Sequence, residues 1–99
     1  MIPSEEYLSL ILSLVKQRLG IMSEARDNFL IASIRSTLQS LFFERGIVIN
    51  EKDMNLTMFI VDLTAWQYEN VGNKSMAGDL RLRLNNIMLQ YTDEKVAKP

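Results

Sequence analysis

Asp62 and Glu69 stand seven residues apart, two turns of an α-helix, so a helix through them presents both carboxylates on one side. Paired carboxylates can do general acid–base chemistry. The usual companions of such a pair are missing. The chain has no histidine and no cysteine, which removes the commonest general base, the commonest zinc ligand and the common nucleophilic dyads. No helical set of two carboxylates and a histidine can be assembled around a metal. Gly20, Gly46, Gly72 and Gly78 are scattered and form no phosphate-cradling loop. The chain is therefore read as no enzyme, without catalytic, cofactor-binding or metal-binding residues. Asp62 and Glu69 are then a solvated seam or partners for arginines, in the same chain or in a neighbouring subunit.

A second constellation is Arg81, Arg83, Asn85, Asn86 and Gln90, closely spaced in RLRLNNIMLQ. These residue types read base edges when a helix enters a DNA groove. The net charge of −1, from 11 basic and 12 acidic residues, argues against a dedicated nucleic-acid binder. A wet helix surface accounts for the same residues better, and pairing with an acidic subunit surface is a third role.

Four helices must position these groups, and 99 residues suit one domain. The expected fold is all-α, a compact bundle of about four helices with a short extended link between the second and third. The domain covers residues 1–91, and a polar tail covers 92–99. The first helix runs from about Glu5 to Leu19, capped by Ser4 and stopped by Gly20. The second starts between Ser23 and Asp27 and ends near Arg45, with Gly46 as its cap. GIVIN, residues 46–50, is β-branched and extended, and Asn50 is the expected cap of the third helix, Glu51 to Asn70. After a turn at 71–75, Ser75 caps a fourth helix from about Met76 to Tyr91.

Each helix carries one main apolar stripe. The candidate core is Leu12, Val15 and Leu19; Ile34, Leu38 and Leu41; Phe59, Leu63 and Trp66; and Leu80, Leu84 and Ile87. A second apolar set remains: Tyr7, Leu10, Leu14, Phe29, Phe43, Met54, Met58, Val61, Tyr68, Leu82 and Leu89. In FIVDLTAWQYENVGN, residues 59–73, it lies across the third helix from the first. Monomers rarely expose contiguous apolar patches beyond a few hundred Å². Either the third helix is wrapped by the others, or part of this set meets another chain. The N-terminus MIPSEE is acidic where a secretory signal would be basic, and Tyr7 to Val15 is too short to span a bilayer. The expectation is a protein made in a cytoplasm, with no membrane partner.

The order LVKQRLGI, SEARD, FLIASIRSTLQSLF, GIVI, LTAWQYENVG and SMAGDLRLRLNNI resembles the small head–tail connector proteins of long-tailed bacteriophages, also described as head-completion or DNA-packaging proteins. The resemblance spans about residues 5–91. It is carried by Lys16, Leu19, Asp27, Ile34, Trp66, Tyr68, Glu69 and Asn70, and by Leu80 to Ile87. WQYEN with the LRLRLNN helix is its strongest part. The link GIVI is shorter than many such proteins have. The resemblance implies a helical structural protein of the virion, assembled in the host bacterial cytoplasm. It implies a ring of identical copies beneath the portal protein. That ring completes the DNA-filled head and receives the next adaptor or a tail-completion protein. DNA passes through without sequence-specific recognition, and no cofactor is used. The candidate subunit interface is Met58, Val61, Asp62, Tyr68, Glu69, Asn70, Arg81 and Arg83. A helical dimerisation module of a phage or bacterial regulator and a DNA-contacting packaging accessory are the alternatives.

Overall fold

The computed structural model describes residues 3–72 and 76–91, for Tyr91 the backbone alone. The chain forms α1 (Glu5–Leu19), α2 (Asp27–Gln39), α3 (Met54–Glu69) and α4 (Gly78–Tyr91), and a π-helical turn, Ser40–Glu44, prolongs α2. The result is a compact all-α bundle of four helices. The Ser75 cap, the tail 92–99 and the side chain of Tyr91 lie outside the described residues.

Local chemistry sets most helix ends. Ser4 Oγ accepts from Tyr7 N–H at 3.0 Å and starts α1. Gly20 ends it at φ +73°, a left-handed conformation that favours glycine. There the N–H groups of Gly20 and Ile21 return to Gln17 O and Lys16 O, satisfying two carbonyls of the last turn. Gly46 repeats the device at φ +70°, where Ile47 N–H reaches Leu41 O.

α3 begins later than the sequence suggests. Asn50 does not cap it. Its Oδ1 instead accepts from Lys52 N–H at 3.0 Å, closing a side-chain turn one step earlier. Asp53 takes the cap position, with Oδ1 accepting from Leu56 N–H at 3.2 Å. α4 likewise starts at Gly78, two residues beyond Met76.

α1 and α2 run antiparallel, tied by Lys16–Asp27 at 2.8 Å. α1 and α3 run parallel. Glu51 accepts from Ser4 at the N-terminal end, Tyr7 meets Thr57 along the way, and Arg18 meets Asp62 at the far end. α3 is the central helix, packed on α1, α2 and α4. From Leu56 to Ala65 only Met58 and Asp62 are not buried. Phe59 is wholly buried among them, a contribution of roughly 1.5–3 kcal/mol relative to an exposed ring.

This arrangement answers what covers the second apolar side of the third helix. α1 and α2 cover part of it within the chain, burying Val61 and Ala65 and half-burying Tyr68, while Met54 and Met58 stay exposed. Val61, expected at a subunit interface, is 1% exposed and belongs to the core. Tyr7 is buried for the same reason. Val15, Ile34, Leu38, Leu41, Phe59, Leu63, Leu80, Leu84 and Ile87 are buried. Leu12, Leu19 and Trp66 are half-buried and pack against that core from its rim.

Candidate functional site

Asp62 is the charged centre of the molecule. It projects from α3 between α1 and α4 and accepts from Arg18 of α1 and from Arg83 of α4, the latter at 2.7 Å. Its side chain is 18% exposed, while the two arginines are 53% and 39% exposed. One half-buried carboxylate thus bridges three helices. The Arg83 guanidinium also lies 5.4 Å from the centre of the Phe59 ring, within cation–π range. Trp66, Glu69 and Asp79 complete a shallow polar cleft around this group.

Of the expected pairings, Asp62–Arg83 forms within the chain. Arg35, on α2, faces Glu5 of α1 at 3.6 Å. Glu69 and Arg81 are exposed and make no ion pair among the described residues. Asn70 is half-buried and donates from Nδ2 to Trp66 O at 2.8 Å, so it closes the last turn of α3. Arg18 has no place in the sequence-based site. Nothing local signals it, since its partner is 44 residues away.

An aromatic corner lies between α2 and α3. Tyr68 Oη accepts from Arg26 at 2.6 Å, the guanidinium sits 5.8 Å from the Tyr68 ring, and Phe29 meets that ring edge-on at 6.2 Å. Tyr68 is half-buried by these contacts, and Phe29 remains 57% exposed.

Inside the bundle, Thr57 Oγ1 donates to Asp53 O at 2.9 Å, so Tyr7 Oη is the donor in the 2.9 Å bond between the two hydroxyls. Burial pushes the Tyr7 phenol above its ordinary value of 10.0. Thr64 Oγ1 is buried with no hydrogen-bond partner among the described residues.

Two apolar surfaces remain open. Helix residues turn by about 100° each, which sorts the α1–α3 seam into two sides. α2 takes the side of Leu8, Leu12 and Lys16 on α1 and of Thr64 and Tyr68 on α3. Leu10 and Leu14, with Met54 and Met58, fall on the other side. Leu10, Met54 and Met58 stay exposed there, and Leu14 is half-buried. The second surface is the outer face of α4. Leu80, Leu84 and Ile87 bury its inner face, while Leu82 and Leu89 point away, 62% and 84% exposed.

Among the described residues no group of three His, Cys, Asp or Glu is placed to hold a metal ion. No described helix is long and apolar enough to cross a membrane. In comparisons with known proteins, no family model, no curated protein and no solved structure matches the chain.

Proposed function

We propose that this protein is a structural head–tail connector of a long-tailed bacteriophage or prophage. In this reading copies of the chain form a ring beneath the portal protein, complete the DNA-filled head and present the docking surface for the next adaptor or the tail. Its place of work is the virion, reached by assembly in the host cytoplasm. The chemistry asked of it is binding, not turnover.

The observation that carries the reading is the pair of apolar surfaces left open after the core is built. A ring subunit needs two different, complementary patches, because head-to-tail contacts join unlike faces. The α1–α3 seam and the outer face of α4 lie on different elements and differ in shape. The resemblance of WQYEN and LRLRLNN to the connector family supports the same assignment. Both stretches line one cleft, the first through Trp66 and Glu69 and the second through Leu80 and Arg83.

Two leucines on one helix face favour the dimerisation module as the second reading. The DNA-contacting reading is weakened by Arg83, whose guanidinium is engaged by Asp62. It requires binding that falls steeply with salt and weakens on replacing Arg81 and Arg83 with Ala.

The test is to mix purified protein with DNA-filled, tailless heads of its phage and image them by electron microscopy. Ring density below the portal is the expected result. Bare portals together with a tight dimer in free solution refute the connector in favour of the dimerisation module.

A further inference from the structure

We infer that the outer face of α4 in one copy docks in the α1–α3 seam of the next copy. The inference deepens the connector reading by naming the two faces that meet, and rests on it only for closure of the contact into a ring.

Shape is the first argument. Leu82 and Leu89 stand seven residues apart, nearly in line on the pole of α4 opposite its buried face. They form a ridge, with Asn85 and Asn86 exposed between them. The seam is its complement: a trough between two parallel helices, floored by half-buried Leu14 and edged by Leu10, Met54 and Met58. An amphipathic helix laid into such a trough is a recurring mode of recognition. Methionine side chains adapt readily to a packed ridge and are enriched at interface cores.

Charge is the second argument. The N-terminal end of the seam carries Glu6 and Glu51 beside a single Lys52 on this open side, while Glu5 faces Arg35 of α2. Arg81, on the rim of α4, is exposed and makes no ion pair among the described residues. Docking α4 against the seam brings that guanidinium to the acidic end, where it steers register more than strength. A two-fold contact between two α4 helices does neither. It sets ridge against ridge, with asparagines facing asparagines between the leucines, and leaves the trough open. Because the two faces differ, each addition leaves one ridge and one trough free, so the contact propagates until it closes.

The chain has no cysteine, so introduced thiols are unique. Full-length protein carrying Met58→Cys, Leu82→Cys or both is concentrated and treated with a flexible bis-maleimide. The expected result is a ladder of multimers from the double variant and a dimer from an equal mixture of the single variants. Each single variant alone stays monomeric. Leu89→Asp in the double variant abolishes the ladder while the urea midpoint is kept, which separates lost docking from lost folding. No ladder, or Leu82→Cys alone dimerising as well as the mixture, overturns the inference. A ladder without density on tailless heads keeps this contact and removes the connector. Density without a ladder does the reverse.

Discussion

Replacing Asp62 with Ala tests whether a single carboxylate fastens α4 to the rest of the bundle. The carboxylate accepts from two arginines, Arg18 at 53% exposure and Arg83 at 39%. Exposed ion pairs contribute about 0.2–1 kcal/mol, so the Arg18 contact is assigned about 0.5 kcal/mol. The Arg83 contact, at 2.7 Å to an acceptor only 18% exposed, is better shielded, and charge-assisted hydrogen bonds reach about 1.5–3 kcal/mol. Discounting it for a guanidinium that can turn to water leaves about 1 kcal/mol. Asp62→Ala should therefore cost about 1.5 kcal/mol, or about 6–12 °C in Tm for a domain of this size. Asp62→Asn keeps one acceptor oxygen and should cost about half as much. Urea unfolding reads the loss, and Trp66, the single tryptophan, lies in the same cleft and serves as the reporter. A double-mutant cycle of Asp62→Ala with Arg83→Ala should return a coupling of about 1 kcal/mol. The coupling should shrink in 1 M salt, where the screening length is about 3 Å. A loss below about 0.3 kcal/mol, or a coupling indistinguishable from zero, refutes the account of Asp62 as a three-helix fastener.

Two further predictions concern the polar groups buried in the bundle. Thr64→Val removes an unpartnered buried hydroxyl at nearly constant volume and should stabilise the domain by about 1 kcal/mol, read as a higher urea midpoint; a lower midpoint means that Thr64 has a partner after all. Tyr7→Phe should cost about 0.5–1.5 kcal/mol near neutral pH through loss of the bond to Thr57. The Tyr7 phenol titrates above 10.0 when folded, so the unfolded chain gives up this proton first as pH rises. Its contribution is complete below 10.0 and is lost as pH climbs from there through the folded value. The stability gap between the parent and Tyr7→Phe should accordingly narrow above that pH, and a gap that does not narrow contradicts the burial effect.

Element type and many boundaries were legible in the chain because their causes are local. Ser4 caps three residues ahead of itself, and Gly20 and Gly46 adopt left-handed turns that other residues avoid. The boundary at Asn50 was misread because two side chains, Asn50 and Asp53, compete for nearby backbone N–H groups. Asn50 closed its own turn and left the cap to Asp53. The main stripes were readable from the helical period, as Ile34, Leu38, Phe59 and Leu84 show.

What the period could not say is which second face would be covered. On α3 and α4 the sequence pattern is alike, apolar on two sides. Tertiary structure decided differently for the two. α3 is enclosed by three helices and buries Val61, whereas α4 lies at the edge and leaves Leu82 and Leu89 in solvent. The same holds for charge. Asp62 and Glu69 look equivalent along the helix, yet Asp62 gains Arg18 and Arg83, and Glu69 gains no ion pair among the described residues. Arg18 and Asp62 are 44 positions apart. Capping and periodicity act over a turn or two, so the sequence alone determined the helices. Pairing across the bundle depends on how those helices cross, and only the folded chain brings such residues together.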